Sequence, residues 1–286
     1  MRKLCLMLLV VLACGVSMAG EIKNVQRYYD DSSIVCTVTL PKGMSRGNFL
    51  WQLVTPHGRV MAQGQVGRGF LKDFVKVPLK FDELKPGISL KLSLQIKAVR
   101  KGEVVGEQKM IVYSKKIFTD IAGKLKKLGA GAVLPEDKIE GLNALGLDLP
   151  ESSLSSFEDP LNKVIFCSAK NYLDNIDMLS ELMKRGLTLV MFAPSNESKI
   201  FLPQKDLSKI SIIFLKNAKT KGSLGVICNK EKIVVACANG QGGLIKVEYG
   251  KGEIIIVADS VYKALGKSPD AALMLKNNLI NQWRKR

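Results

Sequence analysis

The sequence predicts an α/β C-terminal domain, three-layered with a mostly parallel sheet, preceded by an all-β N-terminal sandwich. Up to about residue 114, apolar and polar side chains alternate, as in half-buried strands. From there on, apolar residues recur at helical spacing between continuous apolar runs, which are typical of strands buried on both faces. Residues 1–19 belong to neither region, because they have the pattern of an export signal. We therefore predict domains at residues 20–114 and 115–286.

Residues 1–19 have the pattern of an export signal. Arg2 and Lys3 precede an apolar run over residues 4–13, and Ser17-Met18-Ala19 fits a cleavage site, so the mature chain would begin at Gly20. An alternative interpretation takes Cys14 as the acylated residue of a lipoprotein box, although Leu12 is bulky for that box. No later apolar run approaches the length of a membrane span. We expect a secreted or periplasmic protein that is not transmembrane after processing.

The chain is strongly basic, with 43 Lys and Arg against 26 Asp and Glu and a formal charge of +17. Removal of Arg2 and Lys3 with the signal leaves +15. The positive residues are scattered, and their one compact cluster is Arg284-Lys285-Arg286. This favours either an ordinary solvated surface or attraction to an anionic polysaccharide or lipid surface. Nucleic acid is not expected, since the chain is exported and has no basic motif interleaved with aromatics.

The N-terminal region predicts six or seven short antiparallel strands. Three apolar faces support them: Ile34, Cys36, Val38 and Leu40; Phe49, Trp51 and Leu53; and Leu90, Leu92, Leu94, Ile96 and Ala98. Turn residues separate the runs, at Pro41-Lys42-Gly43, Pro56-His57-Gly58, Lys85-Pro86-Gly87 and Arg100-Lys101-Gly102. His57, the chain's one histidine, therefore has a turn role. The segment 51–60 resembles the strand-turn-strand of immunoglobulin-like and fibronectin-like exported modules.

Helical spacing begins after Tyr113. Thr119 is a predicted cap for a helix ending at Gly129, and a second helix ends at Gly146. Their inward positions are Ile121, Leu125, Leu128, Ile139, Leu142 and Leu145. The strand 164–167, a helix that Asp174 or Asn175 caps and Gly186 ends, and the strand 188–192 then form a βαβ unit.

Four further strands are predicted over residues 210–215, 232–238, 244–249 and 253–258. Gly250-Lys251-Gly252 turns the last pair. A closing helix has Ser268 at its cap and Pro269 at its first position. Its apolar face is Ala272, Leu275, Leu279 and Trp283.

The helix ending Met183-Lys184-Arg185-Gly186, the strand 187–192, and the run from Tyr249-Gly250-Lys251-Gly252 to Asp259 resemble class I glutamine amidotransferase-like domains. The resemblance covers about residues 112 to 286 and is greatest to the non-catalytic versions in exported bacterial proteins. It implies a flavodoxin-like fold. The enzymes of that family use a nucleophilic cysteine at a strand-to-helix elbow and a histidine base.

That catalytic pair is missing here. The strand 188–192 runs into Ala193-Pro194-Ser195 without a cysteine, Cys167 follows the preceding strand, and this half of the chain contains no histidine. A lysine-assisted mechanism at Ser195 is an open alternative, although no S-x-x-K spacing with its partner motifs is evident. The resemblance therefore implies a pseudoenzyme, and no catalytic, cofactor-binding or metal-binding residue is predicted.

The remaining motifs favour structural roles. Cys36, Cys167, Cys228 and Cys237 lie in apolar runs without metal-ligand spacing, and pairing around residues 229–232 would place Cys228 opposite Ile233, out of register for a disulfide. The glycine-rich segment 239–243 joins two strands instead of opening a helix. Glu158-Asp159 and Asp30-Asp31 are loop carboxylates that cap or face solvent, and Gly250 and Gly252 mark a hairpin.

The sequence thus predicts an exported binding or assembly protein of the bacterial envelope or extracellular space. Its partner would be an anionic polysaccharide, an anionic lipid surface or an envelope protein, and no cofactor is expected. The alternative is a hydrolase that acts on envelope or dietary glycans, with its site at the domain junction. An enzyme of that kind would bring two or more polar, perturbed groups into one cleft.

Overall fold

The computed structural model describes residues 25–42, 48–66, 74–157, 163–193, 198–201, 210–216, 223–229, 233–238 and 242–284. The predicted export signal, with Cys14 and the cleavage site, lies outside these residues. Helices make up about 29% and strands about 41% of the structure, which confirms a mixed α and β protein. No helix in the described part of the chain is long and apolar enough to cross a membrane.

Seven strands come first along the chain, with no helix among the described residues before Thr119. They are β1 (Gln26–Tyr29), β2 (Ser33–Thr39), β3 (Phe49–Val54), β4 (Val60–Gln65), β5 (Phe74–Lys80), β6 (Ser89–Ala98) and β7 (Val104–Tyr113). One sheet has the order β1-β7-β6-β3-β4, and β2 pairs with β5 in a second. The predicted strand number is confirmed, but not every pairing is antiparallel, because β1 runs parallel to β7.

The two sheets share one apolar core. The three predicted faces are confirmed, since Cys36 and Val38 of β2, Leu53 of β3, and Leu94 and Ile96 of β6 are all buried in it. Gly58, Gly87 and Gly102 have positive φ angles, as the predicted turns require. Each sheet therefore turns one face inward and leaves the other face open.

Helices and strands alternate in the next part of the chain. The elements are α1 (Thr119–Lys127), β8 (Gly131–Val133), α2 (Glu136–Ala144), β9 (Val164–Ser168), α3 (Ala169–Asp174), α4 (Ile176–Arg185) and β10 (Thr188–Phe192). β9 and β10 pair in parallel, which confirms the βαβ unit. The capping prediction at Thr119 is wrong: Phe118 occupies the N-cap and Thr119 is already helical. β8 and α3 were not predicted, and α3 begins after Ser168, whose hydroxyl accepts a hydrogen bond from Asn171 N.

The remaining elements are β11 (Ser198–Phe201), β12 (Ile210–Lys216), β13 (Ser223–Asn229), β14 (Ile233–Ala238), β15 (Gly242–Tyr249), β16 (Gly252–Val257), α5 (Asp259–Leu265) and α6 (Pro269–Arg284). A six-stranded sheet has the order β14-β15-β16-β10-β9-β8, and a three-stranded sheet has the order β11-β13-β12. The predicted pairing around residues 229–232 is wrong. Cys228 lies opposite Ser211 and Cys237 opposite Gly243, in two different sheets.

The predicted β15–β16 turn is confirmed and is tightly packed against α4. Gly250 has a φ of +63°, and a Cβ atom on it would lie 2.5 Å from Lys184 Cα. A Cβ atom on Gly252 would lie 2.1 Å from the carbonyl oxygen of Leu187. These two positions therefore require glycine, the first also because L side chains rarely adopt its backbone conformation.

Candidate functional site

The carboxyl edge of the six-stranded sheet is where open α/β sheets usually bind ligands. β8, β9, β10 and β16 are mutually parallel and end on this edge. Ser168 and Asn171 follow β9, while Asp259 and Tyr262 follow β16. Lys138 reaches the same place from α2, with its Nζ 5.2 Å from the Tyr262 ring centroid.

Each of these side chains already has a local structural partner. Asn171 Nδ2 donates a 2.6 Å hydrogen bond to the Val133 carbonyl, which ties α3 to β8. Asp259 pairs with Lys263 one helical turn later, at 2.6 Å. The Tyr262 ring packs edge-on against Phe192, and burial raises the pKa of its hydroxyl. Ser195, the alternative nucleophile, lies outside the described residues, as does Glu158-Asp159.

Cys167 is not placed as a nucleophile. Its side chain is fully buried, and burial raises the pKa of its thiol far above the ordinary value, so the thiolate is strongly disfavoured. Cys36 is also buried, with its thiol pKa raised to about 11. Both are free cysteines, as predicted.

The junction between the N-terminal strands and the helices is closed by paired groups. Arg27 of β1 forms a 2.8 Å ion pair with Asp270 at the start of α6, and Tyr29 donates a 2.6 Å hydrogen bond to the Leu265 carbonyl. Lys276 pairs with Asp120 at 2.7 Å. The first two contacts join the two regions, while the Lys276–Asp120 pair ties α6 to α1 within the second region.

Asp30 has a structural role beside this junction. Its side chain is buried and accepts hydrogen bonds from the backbone amides of Leu84, at 2.6 Å, and Lys115, at 3.0 Å. Asp31 instead pairs with the Lys115 ammonium at the surface. The two carboxylates therefore have separate partners and do not form a dyad. This agrees with the prediction that they cap or face solvent.

A buried ion pair lies between β15 and β16. Lys246 Nζ and a carboxylate oxygen of Glu253 are 2.5 Å apart, and each side chain is only 10% exposed. The second oxygen, Glu253 Oε1, is buried without a hydrogen-bond partner. Both side chains stand on one face of the sheet and are nearly buried, so the pair offers little surface to a substrate.

The open face of the five-stranded sheet is different, because polar side chains of four strands converge there and most of them stay at least partly exposed. We call it the glutamine face and define it by eight side chains that the strand pairing places together: Gln52, Gln63, Gln95, Lys91, Lys97, Lys109, Ser93 and Glu107. Their strands turn Leu53, Leu94, Ile96 and Met110 to the opposite, buried side.

The three glutamines of this face form a row across the strands. Gln63 of β4 lies opposite Gln52 of β3, which lies opposite Gln95 of β6. With Glu107 of β7 opposite Gln95, the row crosses four strands, or about 14 Å at the usual strand spacing. Gln52 Nε2 donates a 3.0 Å hydrogen bond to Gln63 Oε1, whereas Gln52 Oε1 is buried and has no partner. The amides of Gln63, which is exposed, and Gln95, which is half-buried, therefore offer the hydrogen-bonding groups of the row to a ligand.

Three lysines surround this row. Lys91 and Lys97 are on β6, about 20 Å apart along the strand, and Lys109 is opposite Ser93 on β7. None of them makes an ion pair with a described residue. The one acidic member, Glu107, accepts a 2.5 Å hydrogen bond from Ser93. The face thus has a net positive charge.

Sequence reasoning missed this face because it treated the lysines as scattered. The signal was present in the polar positions between the predicted inward residues of β6, namely Lys91, Ser93, Gln95 and Lys97. His57 was correctly placed: it lies in an exposed turn closed by a 2.9 Å hydrogen bond from Gly58 N to the Thr55 carbonyl. In the part of the chain that the structure describes, no group of three or more His, Cys, Asp or Glu could hold a metal ion.

Comparison with known proteins assigns no family. Neither the protein families nor the curated proteins contain a match. Among solved structures, a thermostable endoglucanase from Alicyclobacillus acidocaldarius aligns at 14% identity over 40% of this chain, with a TM-score of 0.20. The alignment spans 19% of the endoglucanase chain. A similarity this low supports no conclusion on fold or function.

Proposed function

We propose that the protein is an exported, non-enzymatic binding protein that holds an acidic polysaccharide on its glutamine face. The observation that carries the proposal is the row Gln63-Gln52-Gln95 flanked by Lys91, Lys97 and Lys109 on one open sheet face. Export rests on the signal-like residues 1–19. Secretion, the periplasm or anchoring through Cys14 are all compatible with it.

The side-chain chemistry favours a polysaccharide over other anions. A carboxamide both donates and accepts hydrogen bonds, which suits sugar hydroxyls, while lysine ammonium groups attract carboxylate or sulfate substituents. A flat row about 14 Å long suits an extended polymer better than a small ion. A lipid surface would be attracted by the lysines alone, and the glutamine amides would have no hydrogen-bonding role in that contact.

The two-region organisation fits a binding role. We infer an immunoglobulin-like sandwich domain over residues 20–114 and an amidotransferase-like α/β domain over 115–286, the latter acting as a pseudoenzyme. Support comes from the two face-packed sheets of the first region and the parallel strands β8, β9, β10 and β16 of the second. The buried Cys167 and the paired groups at the junction give no support to a hydrolase.

Retention on immobilised heparin, measured across a salt series, tests the proposal. The triple variant Lys91→Gln, Lys97→Gln, Lys109→Gln should bind about tenfold more weakly, taking roughly 0.5 kcal/mol for each exposed charge contact. The matched control is Lys126→Gln, Lys127→Gln, Lys267→Gln, which removes the same charge from exposed positions elsewhere. Equal losses in the two variants would show diffuse attraction and contradict a site on the glutamine face. Anionic vesicles serve as a second probe. If the unaltered protein binds these vesicles as strongly as it binds heparin, and the triple variant loses both equally, the result favours a lipid surface.

A further inference from the structure

We propose that β4 is a self-association edge, which pairs antiparallel with β4 of a second copy of this chain. β4 is an edge strand of the five-stranded sheet, so only one side of it has a strand partner among the described residues. Its free side presents backbone N–H and C=O groups that a further strand can use.

Three other edge strands, β1, β8 and β5, are protected, whereas β2 is uncharged, as β4 is. At the opposite end of the same sheet, β1 is covered by α6 through the ion pair between Arg27 and Asp270. The edge strand β8 is covered by residues 150–152, whose backbone bonds both the amide and the carbonyl of Ala132, each at 2.9 Å. β5 carries Lys76, Pro78 and Lys80, which are the residues that usually block edge pairing.

No described residue gives β4 such protection. Its six residues, Val-Met-Ala-Gln-Gly-Gln, contain no charge and no proline, in a chain with 43 basic and 26 acidic residues. Five of the six are exposed, including Val60 at 43% and Met61 at 49%, and the contact of β4 with the core is the Trp51 ring, which packs over Gly64. The strand is held mainly by its pairing with β3, and a second strand would cover the apolar side chains that are now in water.

The absence of charge selects the partner. Two copies of a chain with a formal charge of +17 repel one another, so an interface between them requires an uncharged contact. An acidic partner strand would instead be favoured by lysines, which β4 does not have. Antiparallel pairing about a two-fold axis places the same uncharged strand on both sides of the contact. Two-fold symmetry is the commonest symmetry of homo-oligomers.

The pairing has one consequence that rests on the proposed function: the Gln63-Gln52-Gln95 row would continue into the row of the second copy. A longer row would bind a polymer through two linked sites. The contact itself is small compared with the interface of a stable dimer, so association should be weak and depend on concentration.

Sedimentation velocity of the purified protein over a wide concentration range tests the inference, with no polysaccharide present. We expect a monomer at low concentration and a dimer at high concentration. The variant Met61→Lys, Ala62→Lys, which sets like charges against each other across the two-fold axis, should weaken association at least tenfold. The matched control is Val35→Lys, Thr37→Lys on β2, the other uncharged edge strand, where Val35 is 61% exposed.

A monomer at every concentration would overturn the proposal, as would a dimer that the β2 variant abolishes and the β4 variant does not. Should the β4 variant fail to fold, hydrogen exchange on the unaltered protein replaces it. Amides of Val60–Gln65 should then exchange more slowly at high concentration than at low, and equal exchange rates would overturn the pairing. Because no ligand is used, this result is independent of polysaccharide binding.

Discussion

The six-stranded and five-stranded sheets differ in what covers them. Every residue of β10 and β16 is buried, and β9 is buried up to its last residue, because the chain covers both faces of that sheet. In the five-stranded sheet, β6 and β7 bury one face and leave the other to solvent. Substitutions in the first sheet should therefore change stability, while those on the open face of the second should change binding.

The largest expected effect is at the buried ion pair of the six-stranded sheet. Lys246→Met should lower the free energy of unfolding by about 3–5 kcal/mol, because it leaves the buried Glu253 carboxylate without its partner. The double variant Lys246→Met, Glu253→Leu should recover most of that loss. Urea denaturation measures both. A small effect for the single variant would mean that Glu253 reaches solvent and that this sheet is not enclosed on both faces.

The β15–β16 turn should give the next effect. Gly252→Ala should cost about 3 kcal/mol, because its Cβ atom would collide with the backbone of Leu187 and Met183. Gly123→Ala is the matched control. Gly123 lies in α1, where an added Cβ atom would meet no neighbouring group within 4 Å, so alanine there should stabilise the helix by roughly 0.5–1 kcal/mol. Thermal unfolding of the two variants should shift in opposite directions, and shifts of the same sign would contradict the packing of this turn.

A smaller effect is expected at Cys167. Replacement by alanine should cost about 1–2 kcal/mol through lost packing and should leave heparin retention unchanged. The native protein should also react with thiol reagents at Cys167 only as fast as it unfolds, since burial holds the thiol protonated. Rapid modification of Cys167 in the folded protein, or a glutaminase activity that Cys167→Ala abolishes without loss of stability, would reopen the catalytic interpretation.

The sequence predicted local structure well wherever a periodicity or a turn residue decides it. The inward faces of β2, β3 and β6 and the stops at Gly129, Gly146 and Gly186 follow from neighbouring residues alone. Short elements such as β8 and α3 were missed because three to six residues give too little pattern.

Long-range pairing could not be predicted in the same way. Nothing local indicates that β13 and β14 belong to different sheets, so the predicted pairing at Cys228 was wrong. The glutamine row could not be predicted for the same reason, because it too depends on long-range strand pairing. Gln52 and Gln95 are 43 positions apart, and only the pairing of β3 with β6 brings them together. Periodicity alone cannot predict a site that depends on the order of strands in a sheet.

The most direct test of the central claim removes the amides and keeps the charge. The variant Gln63→Ala, Gln95→Ala alters two half-buried or exposed side chains, so it should fold normally and retain every lysine of the glutamine face. Calorimetric titration with heparin should show about tenfold weaker binding than the unaltered protein, from two lost hydrogen bonds at roughly 0.7 kcal/mol each. Unchanged affinity would contradict recognition by the amide row and leave attraction by charge alone as the explanation.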